Sequence, residues 1–130
     1  NTSFSGGAGL LSTANDYARF LQMTLNGGEL DGQRILSRKT IELMTTDHLG
    51  GIPFRDGQGF GLGFFVVTDL GERGILGSER EYGWGGAYHT TYWVDPAEEM
   101  VVVYLTQLIP AQEIDDYHKL RSGIYHAIID

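Results

Sequence analysis

Cysteine is absent from this chain of 130 residues. Disulfides, thiolate catalysis and Cys-type zinc sites are therefore excluded. Its absence suits cytosol and periplasm alike, so the compartment stays open. Proline is scarce, with three residues, and basic side chains are outnumbered, nine Lys and Arg against seventeen Asp and Glu. The formal net charge is −8. That balance argues against a nucleic-acid partner, whose phosphates select a Lys/Arg surface. No apolar run reaches the length that spans a bilayer. No signal-peptide or lipidation pattern is present. The first residue is Asn1 rather than Met, a start that fits a processing site or the interior of a longer protein. The length suits one domain with a modest core.

Glycine is what the chain has in excess: nineteen residues, about twice the average usage. These glycines form no linker. They sit in or beside apolar runs: Gly6-Gly7-Ala8-Gly9, Gly59-Phe60-Gly61-Leu62-Gly63 and Gly83-Trp84-Gly85-Gly86. Glycine at a strand marks a bulge or a close backbone approach.

Residues 1–11 read as a loop with tight turns, in which Gly6, Gly7 and Gly9 shape a turn. They are not a phosphate loop, since no strand precedes them and no Lys-Ser/Thr follows. Thr13-Ala14-Asn15-Asp16 starts a helix carrying Tyr17, Ala18, Leu21 and Leu25, ended by Asn26-Gly27-Gly28. Asp31-Gly32 makes a turn between Leu30 and Ile35. Ser37 caps a short second helix through Ile41, Leu43 and Met44. Residues 47–58 form a polar loop. Three strands are expected: Phe60 to Thr68, Tyr82 to Val94 and Met100 to Thr106. The third lacks alternation, which implies cover on both faces. Between the first two runs a charged loop or long hairpin, in which Glu79, Arg80 and Glu81 read as solvated. A stripe of Ile114, Tyr117, Arg121, Ile124 and Ile128 marks a C-terminal helix. The fold class is α+β, an antiparallel sheet of about three strands with helices against a face. Tyr17, Leu21, Val101, Val103, Ile124 and Ile128 are the expected core.

Chemistry is sparse. None of the six serines lies in G-x-S-x-G, and none has Lys at the third following position. No His pair has the H-E-x-x-H arrangement. Asp115 and His118 share a helix face, for which solvated polarity outweighs a metal site. What remains is backbone chemistry. Acyl transfer needs N–H groups aimed at a developing oxyanion, and a strand edge beside glycines supplies one. The competing explanation is that the glycines only let another segment pack closely, and composition by itself favours it.

The run Gly6-Gly7-Ala8-Gly9-Leu10-Leu11-Ser12-Thr13, then Asp16-Tyr17 and Phe20-Leu21, resembles a segment of the serine β-lactamase-like superfamily. So do Leu25-Asn26-Gly27-Gly28-Glu29-Leu30-Asp31-Gly32, Ile35-Leu36-Ser37, Gly59-Phe60-Gly61-Leu62-Gly63, and Gly83-Trp84-Gly85-Gly86 with Trp93-Val94-Asp95-Pro96. Within that superfamily the likeness is to class C β-lactamase-like esterases, the family VIII carboxylesterases, with penicillin-binding proteins as cousins. It covers nearly the whole chain, in order.

The resemblance implies a Ser nucleophile and Lys in S-x-x-K, a proton-transferring Tyr, and a third motif on a sheet strand, here Trp84-Gly85-Gly86. The N–H of Ala87 would be one oxyanion donor and the nucleophile's own N–H the other. Trp84, Gly85, Gly86 and Tyr88 would bind substrate. No metal and no cofactor are implied. S-x-x-K and the Tyr motif are missing and would lie upstream of Asn1. Residues 1–130 are then expected to be a single partial domain, the C-terminal portion of a catalytic domain, inactive alone. Missing Lys in the third motif tilts the substrate from β-lactams toward esters. His89 stands where esterase relatives tend to have Gly, and alternation puts it opposite Trp84, Gly86 and Tyr88. Rival readings are a β-lactamase or D-Ala-D-Ala peptidase, and a non-catalytic binding or assembly module. The expected partners are a small-molecule ester or β-lactam, with self-association through faces a missing segment would cover.

Overall fold

The computed structural model describes residues 5–7, 9–111 and 114–129. Residues 1–4 and Ala8 of the opening loop lie outside the described residues. Thr13 caps helix α1 (Ala14–Leu25), its hydroxyl accepting from the Asp16 amide at 3.1 Å. That satisfies one of the four open amides of a first helical turn. At the other end the Gly27 amide reaches the Thr24 carbonyl and the Gly28 amide the Met23 carbonyl, at 3.0 and 2.8 Å. This double closure is the Schellman stop, and it needs the left-handed backbone of Gly27, φ 68°. A two-residue hairpin follows, β1 (Glu29–Leu30) against β2 (Gln33–Arg34). Asp31 and Gly32 both hold positive φ there, the primed turn that matches strand twist. Ser37 then caps α2 (Arg38–Met44).

The main sheet has five antiparallel strands in chain order. They are β3 (Gln58–Phe60), β4 (Phe65–Val67), β5 (Tyr82–Gly85), β6 (Thr91–Asp95) and β7 (Met100–Tyr104). Each of the first two expected strands is in fact a hairpin. In the first, the chain reverses through Gly61-Leu62-Gly63, where a Cβ on Gly61 would come within 2.1 Å of the Met44 carbonyl oxygen. In the second it reverses through Ala87-Tyr88-His89. Strand-prone composition extends through both reversals, so periodicity alone could not find them.

Helices cover both faces of the sheet rather than one. Leu21 of α1 packs with Phe64, Val66, Tyr82 and Val94, joined by Tyr17, Val101 and Val103. On the opposite face Phe65, Val67 and Trp93 meet Tyr117, Leu120 and Ile124 of α4 (Asp116–His126), with Val102. The non-alternating run of β7 thus has cover on both sides, as its composition implied. Ile128 does not belong to this core. It lies past the end of α4 and is 37% exposed.

The α4 face also buries charge. Glu81, expected in solvent, is 0% exposed, and Arg121 is 1% exposed. The Glu81 carboxylate accepts from Arg73, the last residue of the short helix α3 (Leu70–Arg73), at 2.9 Å, and from Arg121. The single proton of the Tyr125 hydroxyl goes to Asp95 at 2.7 Å, with Glu81 3.1 Å from the same oxygen. Two guanidinium and two carboxylate groups therefore balance in number inside one network, although Arg73 Nε and Nη1 find no partner among the described residues. The Arg121 guanidinium also lies 4.9 Å from the Trp93 ring centroid. Gly77 roofs the network, and a Cβ there would collide with Arg121.

Candidate functional site

Strand β5 pairs with β6 along its whole length, from Tyr82–Val94 to Gly85–Thr91. It pairs with β4 only through Tyr82 and Gly83. From Trp84 onward its other edge has no strand partner among the described residues. The hairpin closes where the Gly86 amide donates to the Thr90 carbonyl at 2.9 Å, and Ala87-Tyr88-His89 form a three-residue loop. The last residue of such a loop takes the left-handed conformation, which is why glycine is usual there. Here it is His89, with φ 64°. The Ala87 amide donates to no group among the described residues.

The glycines around Trp84 have a packing role. A Cβ on Gly83 would come within 2.2 Å of the Tyr92 carbonyl oxygen, and one on Gly86 within 2.5 Å of the Thr90 hydroxyl. β5 lies flush against β6 only because both lack side chains. Chain reversal at Ala87 also ends the alternation expected for Trp84, Gly86, Tyr88 and His89.

A cleft of about 650 Å³ opens beside this hairpin, bordered by Trp84, Gly85, Gly86, Ala87 and His89. Four of the five expected site residues therefore meet at one cavity. Tyr88 is the exception. The residue is 57% exposed, and its carbonyl accepts from the Thr106 hydroxyl at 2.7 Å and the Leu108 amide at 3.2 Å. Trp84 is half-buried in an aromatic group. Its ring stacks on Phe54, centroids 6.3 Å apart, and meets Phe60 edge-on at 5.1 Å.

His89 does not point away from the cleft. Its Nε2 bonds the Asp116 carboxylate at 2.5 Å, and the Tyr104 hydroxyl donates to the other carboxylate oxygen at 2.9 Å. The His89 bond holds the Asp116 carboxyl below the usual carboxylate range. Tyr104 is pushed up, first by its bond to Asp116. Burial likewise raises Tyr82, Tyr92 and Tyr125. These four tyrosines keep their protons at neutral pH, so none supplies a phenolate base.

Asp116 and Tyr104 carried no sequence signal. Asp116 reaches His89 from 27 residues away and Tyr104 reaches Asp116 from 12, a proximity that only the packing of α4 and β7 produces. Asp115 caps α4 without a side-chain hydrogen bond. Among the described residues no cluster of three or more His, Asp or Glu side chains could hold a metal ion. No described helix is long and apolar enough to cross a membrane.

The chain matches the β-lactamase family over residues 1–122. It is 40% identical to Protein Rv1367c of Mycobacterium tuberculosis H37Rv over 123 residues, 85% of this chain and 31% of that protein. A putative D-alanyl-D-alanine carboxypeptidase of Escherichia coli O157:H7 is 33% identical over 105 residues, 78% of this chain and 23% of that one. Among solved structures, EstCE1, a hydrolase with promiscuous acyltransferase activity, superposes with a TM-score of 0.75 at 26% identity. That superposition covers 93% of this chain and 32% of EstCE1. The chain thus spans about a third or less of the length of these relatives. Helices on both faces of a five-stranded antiparallel sheet, with a match through residue 122, carry one conclusion: the chain belongs to the β-lactamase family, within the serine β-lactamase-like hydrolases.

Proposed function

We propose that this chain supplies the oxyanion strand of a serine hydrolase whose nucleophile lies outside residues 1–130, and that the reaction is ester hydrolysis. The observation that carries the reading is the Ala87 amide. It donates to nothing among the described residues, and it borders the cleft just past the half of β5 whose other edge has no strand partner among them. In the longer protein a Ser hydroxyl attacks the ester carbonyl. The tetrahedral oxyanion is held by the Ala87 N–H and the nucleophile's own N–H. The alcohol leaves with a proton, and water then hydrolyses the acyl-enzyme, releasing the acid and restoring Ser. Trp84 lines the acyl or alkoxy pocket. Gly85 and Gly86 leave the approach free of side chains. The EstCE1 likeness supports acyl transfer on this scaffold.

The first test is fluorophosphonate labelling of the 130-residue chain, read by intact mass. No adduct is expected; a stoichiometric adduct on one of its serines would overturn the assignment. In the assembled enzyme Ala87→Pro removes the donor, so turnover should fall about 10²-fold or more, while Ala87→Gly retains it. Unchanged turnover in the proline variant would exclude Ala87 from the role.

The E. coli relative's name favours a second reading, hydrolysis of a D-alanyl amide. Turnover of a chromogenic cephalosporin against a short-chain nitrophenyl ester by the longer protein separates the two. The outer edges of β3 and β7 have no strand partner among the described residues, which supports self-association of the chain on its own. Strictly monomeric sedimentation would count against it.

A further inference from the structure

Hydrolysis of an acyl-enzyme needs a group that takes a proton from the attacking water. Around the large cleft, Arg55 and Arg73 carry their protons throughout the neutral range. Tyr104 keeps its proton because it donates to Asp116. The Tyr117 hydroxyl is turned to the Arg121 guanidinium, 3.4 Å away, and Asp56 is exposed on a loop. Two imidazoles remain, His89 and His118. His118 is exposed, and its ring meets Tyr117 edge-on with no hydrogen bond to orient it among the described residues.

His89 is oriented. Its Nε2 bonds Asp116 Oδ1 at 2.5 Å, and Tyr104 occupies the other oxygen at 2.9 Å. An ionised carboxylate only accepts, so Nε2 carries the ring proton in that bond and Nδ1 carries the lone pair. Nδ1 has no partner among the described residues, and it is not one of the polar atoms closed off in the interior. The backbone points the same way. Residue 89 holds φ 64°, where glycine is usual in such a loop, so an imidazole is kept at the cleft against a conformational cost. Ala87 and His89 are two residues apart, at most about 7 Å between Cα atoms. A carbonyl whose oxygen takes the Ala87 N–H therefore lies within the reach of one side chain and one water from the imidazole.

We propose that His89 is a catalytic residue, the general base that activates water in the second half-reaction, with Asp116 as its positioning residue and Tyr104 holding Asp116. This rests on the hydrolase reading above for the identity of the cleft. The water oxygen bonds the acyl carbon while one of its protons passes to Nδ1. The ring is then an imidazolium beside Asp116, whose charge stabilises it. As the bond from the carbonyl carbon to the serine Oγ breaks, that proton passes to Oγ. The acid leaves, and Ser and neutral His89 are restored. Loading of the Ser falls to groups outside residues 1–130.

The test uses the longer protein that carries the nucleophile, mixed with a short-chain nitrophenyl ester, with the acyl-enzyme followed by intact mass. His89→Gly suits the left-handed backbone, so the hairpin is retained. Its acyl-enzyme should accumulate and decay about 10²-fold or more slowly than the parent turns over. Added imidazole should speed that decay in His89→Gly and leave the parent unmoved. Asp116→Asn should slow the same step by a smaller factor, without rescue by imidazole. Decay at the parent's rate in His89→Gly, or slow decay that imidazole does not speed, overturns the proposal. Fluorophosphonate labelling of the parent reports separately on the nucleophile. With no adduct, the hydrolase reading falls and the role of His89 falls with it. With an adduct and unaltered deacylation in His89→Gly, only the role of His89 falls.

Discussion

Glu81 and Arg121 are 40 residues apart in the chain, yet their side chains meet fully buried between the sheet and α4. One precedes the strand that carries the candidate site; the other is the middle of the helix that walls it. This ion pair, with Arg73, Tyr125 and Asp95, ties α4 to the sheet and so holds the cleft's shape.

Glu81 serves two guanidinium groups, so Glu81→Gln strands both Arg73 and Arg121 and should cost about 3–5 kcal/mol, whereas Arg121→Met leaves Glu81 paired with Arg73 and should cost less. The double variant should cost less than the sum, because once Glu81 is gone removing Arg121 takes away one of the two stranded charges. Urea denaturation of the four proteins checks this. Strict additivity would show that the two do not act as a pair.

Gly83 touches backbone, not flexible side chains, on β6. Gly83→Ala would bring Cβ within 2.2 Å of the Tyr92 carbonyl oxygen and 2.9 Å of Trp93 Cα. The expected loss is about 1–3 kcal/mol or more, read as a lowered thermal midpoint. A variant as stable as the parent would mean that β5 and β6 are not held so closely.

The left-handed backbone at residue 89 sets the order of two variants that both lose the imidazole. His89→Gly should be more stable than His89→Ala by about 1–2 kcal/mol, because only glycine takes that φ without strain. Denaturation midpoints of the pair decide it; equal midpoints would place residue 89 elsewhere in φ/ψ space.

Asp47 gives a pH dependence with a definite sign. Its carboxylate accepts from the amides of Leu49 and Phe60, both at 3.0 Å, and these bonds lower its pKa below the ordinary 3.8. A depressed folded value means the contribution is complete above the ordinary carboxylate value. It is lost as pH falls through the lowered one. From about pH 6 to about pH 2, the urea midpoint of Asp47→Asn should fall less steeply than that of the parent. Parallel curves would show that the two amide bonds add nothing.

Local signals in the sequence were sufficient for local structure. Thr13, Asn26-Gly27-Gly28, Asp31-Gly32 and Ser37 act within a few residues of themselves, through caps and turns whose partners are sequence neighbours. They mark α1, the first hairpin and the start of α2 correctly. The apolar runs marked Tyr17, Leu21, Val101, Val103 and Ile124 as core correctly, and Ile128 wrongly. The glycine motif at 83–86 marked the candidate site and, with the other runs, the family.

What depends on distant partners was not legible. Five strands rather than three arise because Gly61 packs against Met44, and because the hairpin at Ala87 closes against β6. Glu81 looks like a loop charge until Arg73 and Arg121 are brought to it, since burial of a charge is decided by its partners and not by its own type. The same holds for His89, which meets Asp116, itself held by Tyr104, only when α4 and β7 are in place. Sequence by itself determined the caps, the turns, the family and the glycine-rich strand, because those depend on residue type at short spacing. Tertiary structure alone decided strand count, buried charge and the surroundings of the cleft, because electrostatic and steric contacts there join residues 8 to 45 positions apart.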